Sequence, residues 1–244
     1  MNFGEILIYL NPLLILSAIY FGYQNFSKTN KQNDKKYDSL LYFILGNHTF
    51  LLLLLSYYFL TTNLRFEYVS DYSAKDLSIG YKLAGVWAGR DGTLLIWSWA
   101  TILTLVLERF FDKKDSKQRE LTSLFGMILL LSLAIIQLYI NPFGLNENTP
   151  DDGKGLNPLL LSPYMIIHPP IVFISYGMIV LLYASGLSFL VTEDKNWNNT
   201  IKRWGRGSWI GMSLALILGG FWAYVTLGWG GYWAWDPVET AGLL

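Results

Sequence analysis

Long apolar runs separated by short polar stretches dominate this chain. Crossing about 30 Å of hydrocarbon takes about 20 apolar residues, because a helix in lipid must satisfy its backbone polar groups internally. Six runs have that length: Gly4 to Tyr23, Leu40 to Thr61, Thr93 to Phe110, Leu121 to Ile140, Tyr164 to Val191 and Ser208 to Leu227. They predict an all-α, polytopic membrane protein of six transmembrane helices over residues 1–227, followed by a segment of different character at 228–244. Met1 to Glu5 carries no lysine or arginine, and no small-residue cleavage site follows the first run, which therefore reads as a retained span.

Composition agrees with lipid as the solvent. Of 244 residues 52% are hydrophobic and only 15% charged, too apolar a balance for an ordinary soluble domain. The formal net charge of zero leaves no overall basic field to attract nucleic acid. The absence of cysteine excludes a disulfide framework, a thiolate metal site and a catalytic thiol from this chain, leaving His48 and His168 as its histidine ligands.

Charge orients the spans. Lysine and arginine favour the cytoplasmic or matrix side of short loops. The first, third and fifth connections hold Lys28, Lys31, Lys35, Lys36, Arg109, Lys113, Lys114, Lys117, Arg119, Lys195, Lys202, Arg203 and Arg206, thirteen of the 18 basic residues. Only Arg65, Lys75, Lys82, Arg90 and Lys154 lie in the others. The N-terminus, the even connections and the tail are therefore expected outside, and the inner loops, short and polar, look featureless. That arrangement puts Gly85-Val-Trp-Ala-Gly-Arg-Asp-Gly-Thr93, Asp151 to Pro158, His168-Pro-Pro170 and Leu227 to Thr240 on one face.

The tail is the most distinctive stretch. Trp229, Tyr232, Trp233 and Trp235 are interleaved with Gly228, Gly230 and Gly231, and Asp236, Pro237 and Glu239 follow. Indole rings alone would suit an aromatic belt at the headgroups. A belt has no need of interleaved glycines, which instead let backbone and ring faces approach a flat apolar ligand. His168 stands just before two prolines at the outer start of the fifth span, where a proline fits the first helical turn, so its ring would be held rigidly at the membrane surface. An interfacial histidine bonded to backbone is the plainer reading; the aromatic tail on the same face favours an axial ligand to haem iron. His48, inside the second span, reads as a polar bond to a neighbouring helix. Arg90 and Asp91 either pair with each other or leave the Arg90 guanidinium for a propionate. Asp151 and Asp152 read as turn formers.

These residues resemble a known family. Trp-Gly-Gly-Tyr-Trp-Ala-Trp-Asp-Pro-Val-Glu-Thr, residues 229–240, resembles the tryptophan-rich WWD motif of haem-handling proteins. Asn141-Pro-Phe, Asp152 to Leu160 and Met165 to Pro170 look like the segment before that motif in cytochrome c haem lyases of the CcmF and NrfE type, and Gly89 to Trp97 is similar to their glycine-rich approach to the third span. The resemblance implies that Trp229, Gly230, Gly231, Tyr232, Trp233, Trp235 and Asp236 hold haem b at the outer face, with His168 as axial ligand and Arg90 on a propionate. It also implies a haem chaperone as donor and apocytochrome c, with the thiols of its Cys-X-X-Cys-His motif, as acceptor. Two departures stand out: family members continue past the motif and add further histidines, and Arg90-Asp91 replaces a common His-Glu. The chain is thus expected to be the N-terminal portion of a split protein, a non-autonomous subunit completed by a second polypeptide.

The expected location is the mitochondrial inner membrane, or alternatively a bacterial plasma membrane, with the functional loops facing the intermembrane space or periplasm. Two other readings compete: a haem delivery protein of the CcmC or CcsA type, which would place a histidine after the motif, and a structural membrane subunit keeping the scaffold without chemistry. A transporter fits less well, since the spans lack a buried charged pathway. Because the chain has no cysteine, single cysteines report the orientation directly. Cysteines placed at Lys154 and Trp235 are expected to react with an impermeant thiol reagent from the same side, and one at Lys202 only after permeabilisation.

Overall fold

A computed structural model describes residues 1–27, 31–112, 116–195, 197–228, 231–235 and 237–243. Its helices are α1 (Phe3–Ser27), α2 (Lys31–Leu60), α3 (Glu67–Tyr72), α4 (Ile79–Gly85), α5 (Arg90–Phe111), α6 (Lys117–Tyr139), α7 (Pro163–Thr192), α8 (Trp197–Thr200), α9 (Arg206–Trp222) and α10 (Pro237–Leu243). Six stretches are long and apolar enough to span a membrane: α1, residues 34–60 of α2, α5, α6, α7 and the continuous run 197–226. The protein is all-α and polytopic, as the apolar runs predict. The last span is interrupted by two π turns, Ile201–Gly205 and Ala223–Leu227, which flank α9.

Helices α5 and α6 are the most enclosed spans, and the fifth and sixth spans are the least. Two apolar clusters fill the interior. One gathers Ile15, Leu41, Ile44, Ile102, Leu105 and Met127; the other gathers Ile8, Leu51, Leu55, Phe59, Leu95 and Phe143 with Tyr68 and Val86 from the connections. Helix α7 lies hard against α5 because Gly177 leaves no side chain in the way: a Cβ there would sit 2.6 Å from the Ala100 carbonyl carbon.

The even connections form a folded cap at the end that carries the N-terminus. Asn2 Nδ2 donates to Phe143 O at 2.6 Å, Glu67 N to Gly144 O at 2.9 Å, and Phe66 bridges Leu145. Asp152 shapes its turn as expected: its carboxylate accepts Lys75 N at 3.0 Å and Gly153 N at 2.8 Å, and Lys154 Nζ pairs with Asp71 at 2.7 Å. Those two backbone N–H groups, Lys75 first, hold the Asp152 carboxyl below its usual range.

The opposite end is not featureless. Arg109 Nε reaches Asp38 at 2.7 Å and its Nη1 reaches Glu120 at 3.0 Å; Glu108 accepts from Thr200 at 2.6 Å, Arg203 at 3.1 Å and Trp204 at 2.5 Å. Gln118 donates to Ser185 O at 3.0 Å. Basic residues that read only as topology signals are thus partly buried members of a network joining α2, α5, α6, α7 and the sixth span. The sequence showed charge but not reach: an arginine at a span end can turn inward as readily as toward water.

His48 differs from expectation as well. Its ring is buried, its Nδ1 donates to Ile44 O of its own helix at 2.9 Å, and its Nε2 has no partner among the described residues. The interhelix bonds belong to its neighbours: Asn47 to Asn11 at 2.6 Å and Trp99 Nε1 to Thr49 at 3.0 Å.

Two outcomes are expected. Arg109→Met leaves the buried Glu120 with only the longer pairing to Arg119 at 3.8 Å and should lower stability in detergent by about 3 kcal/mol, read by denaturant unfolding. The bound carboxylate of Asp152 favours the charged form, so its contribution is complete above the ordinary aspartate value of about 3.9 and is lost as pH falls through the lower folded value. The protection factor of the Lys75 amide should drop in acid over that range, and Asp152→Asn should remove the pH dependence.

Candidate functional site

Helix α7 begins earlier than the His-Pro-Pro sequence suggests. Pro163 takes the first helical turn, behind Ser162, so His168, Pro169 and Pro170 lie inside the helix. Proline lacks an N–H, so Pro169 leaves Met165 O without its helical donor. That carbonyl accepts Trp87 Nε1 at 2.8 Å instead. The His168 ring crosses to the last span, where its Nδ1 donates to Ala215 O at 2.8 Å. This bond fixes the proton on Nδ1 and leaves the Nε2 lone pair free. Gly219 makes room for the ring: a Cβ there would stand 2.9 Å from His168 Cε1.

Beside the ring lies a cavity of about 280 Å³, open on one side and largely apolar. Phe173 and Tyr176 of α7, Met212 and Leu216 of α9, Trp222, Trp233, Glu239 and Gly242 line it together with His168. Trp222 stands 6.0 Å from His168, centroid to centroid, and donates from Nε1 to Leu159 O at 3.1 Å, pinning the tail end of the span to the fourth connection. Trp233 Nε1 is buried and has no partner among the described residues. The tail then folds back along the last span, with Gly242 beside Met212 and Leu216.

The predicted residues therefore separate. His168 and Trp233 meet at the cavity. Tyr232 faces outward, stacked on Tyr224 at 4.5 Å, and Trp235 is exposed, set edge-on to Trp233 at 5.7 Å with a left-handed φ of 57°. Gly231 is half-buried and does not line the cavity. Arg90 is exposed, pairs with Asp91 at 3.6 Å and does not line the cavity either. Trp229, Gly230 and Asp236 lie outside the described residues. Sequence reasoning passed over Trp87, Trp222 and Gly219. Trp222 looks like any aromatic in an apolar run, but the Gly219-Gly220 pair just before it is the kind of interruption that signals close approach.

In chemical terms the site offers one unprotonated imidazole nitrogen, an indole N–H with no acceptor among the described residues, and apolar and aromatic walls. That set suits a flat, largely apolar ligand with a metal centre and a polar edge.

Residues 87–244 match the family model described as Cytochrome C assembly protein. The chain is 34% identical over 195 residues to the cytochrome c-type biogenesis protein NrfE of Haemophilus influenzae, covering 78% of this chain and 31% of that protein. It is 32% identical over 194 residues to the cytochrome c-type biogenesis protein CcmF of Escherichia coli, covering 76% of this chain and 30% of that one. Among solved structures, the cytochrome c haem lyase CcmF superposes with a TM-score of 0.83 at 20% identity, covering 98% of this chain and 39% of the other. The chain spans about a third of the length of these curated relatives. The match over residues 87–244 places this chain in the cytochrome c assembly protein family, and the relatives it resembles are of the CcmF and NrfE type.

Proposed function

We propose that this chain holds haem in the cavity between α7, α9 and the tail, presenting it for covalent attachment to apocytochrome c. One observation carries the reading: the imidazole of His168 and the indole of Trp233, from segments 65 residues apart in sequence, face the same apolar cavity. His168 supplies an axial nitrogen from Nε2, Trp222 and Trp233 cover the porphyrin, and the Trp233 N–H is placed to meet a polar edge. Trp229, Gly230 and Asp236 complete the tail's share of the site, and Arg90 takes a propionate only if the ligand extends beyond the cavity toward α5. A second axial ligand comes from outside the described residues, since His48 is enclosed within the bundle.

The reaction partners follow from the same chemistry. Thioether bonds need thiols, which this cysteine-free chain leaves to the apocytochrome. A haem chaperone delivers the porphyrin, and a second polypeptide contributes the remaining ligand. The cap and tail face the periplasm or the intermembrane space, in a bacterial plasma membrane or the mitochondrial inner membrane, which supports the reading because the relatives are named for the biogenesis of c-type cytochromes.

The chain purified in mild detergent from haem-replete cells, with any chains that co-purify, is expected to show a haem absorbance band that His168→Ala removes without lowering the yield of folded protein. A haem-free complex of undiminished stability, unresponsive to added haem, would instead assign the chain a structural role.

A further inference from the structure

The geometry points to Trp87 as a positioning residue for His168: its indole N–H replaces the helical donor that Pro169 removes, and so fixes the turn of α7 from which the imidazole projects. The inference rests on the haem-holding reading for its consequence, but its structural content stands on bonds within this chain.

Consider what the prolines do to α7. A carbonyl freed by proline inside a membrane helix must find another donor, because lipid offers none. Met165 is buried, so water does not reach it from the bundle side either. Left unpaired, that carbonyl would favour kinking or unwinding of the turn carrying His168. Trp87 Nε1 closes the gap at 2.8 Å, across 78 positions of sequence.

Trp87 can act this way because its own turn is rigid. The buried Tyr68 hydroxyl accepts Gly89 N at 3.0 Å and lies 3.1 Å from Val86 O, so the turn around Trp87 is clamped on both sides. Trp87 N donates to Ala84 O at 3.1 Å, and the indole packs against the cluster containing Tyr68, Val69 and Val86. The order runs from Tyr68 to the 86–89 turn, to Trp87, to Met165 O, and one turn on to His168. From the other side Ala215 O and the space left by Gly219 set the ring's rotation. The imidazole is thus fixed through its backbone by the second connection and through its ring by the last span, the arrangement by which outer groups orient metal-binding histidines.

The test uses nitrogen-15 histidine spectra of the haem-free chain in detergent, where a proton on Nδ1 is distinguished from one on Nε2, followed by haem retention. Wild type is expected to show His168 in a single, Nδ1-protonated form. Trp87→Phe, which keeps the ring but not the donor, should mix the two forms and weaken haem retention roughly tenfold, the usual effect of losing one buried hydrogen bond. Adding Pro169→Ala to Trp87→Phe returns an N–H to Met165 O and should restore both readouts. Tyr68→Phe, which frees the turn but leaves the indole, should give an intermediate result. Wild-type spectra in Trp87→Phe would overturn the proposal, as would a defect that Pro169→Ala fails to rescue, since the indole would then act by packing alone. A chain whose His168 spectrum follows these expectations but never takes up haem defeats the functional reading and leaves the positioning role standing.

Discussion

Lipid supplies no hydrogen bonds, and this single deficit organises the molecule. A backbone polar group inside the spans has to be answered within the protein. Where the sequence breaks a helix's own ladder, as at Pro169, a side chain from a distant connection fills the vacancy. Where it buries a charge, as at Arg109, carboxylates from two other helices converge on it. The resulting long-range bonds tie the spans together more specifically than apolar contact can, because hydrocarbon tails compete with leucine for leucine but not with a carboxylate for a guanidinium.

The same deficit explains the contrast between the two ends. At one end two clusters tie the spans, Arg109 with Asp38 and Glu120, and Glu108 with Arg203. At the other end the connections are long enough to fold on themselves, with α3 and the turn after it bonded to the 141–158 stretch through backbone and through Asp152, and Tyr68 of α3 bonded to the turn that follows α4. The cap holds Trp87 in place, and the tail closes over the adjoining cavity. Burial raises the proton affinity of the Tyr68 hydroxyl, keeping it neutral and available to clamp the cap at ordinary pH.

The spans were legible because length and apolarity alone decide them, and α1, α5 and α6 differ from their expected bounds by no more than about a turn at either end, mostly of polar residues. His168 and Trp233 were legible by chemical type, since an imidazole beside prolines and an indole among glycines have few ordinary uses together. What escaped the sequence depends on contacts between distant segments. Helices α3 and α4 are too short to announce themselves and exist because Glu67 bonds Gly144 and Tyr68 bonds the 86–89 turn. Trp222 and Gly219 sit inside an apolar run whose pattern says only that it crosses the membrane. Tyr232 and Trp235 share a motif with Trp233 yet point elsewhere, Tyr232 onto Tyr224 and Trp235 outward from a residue with a left-handed φ of 57°.

The spans are tied by unlike bonds at their two ends: ion pairs at Arg109 and Glu108 at one, and the neutral bonds of His168 to Ala215 O and of Trp222 to Leu159 O at the other. Salt and acid therefore act on the two ends unequally.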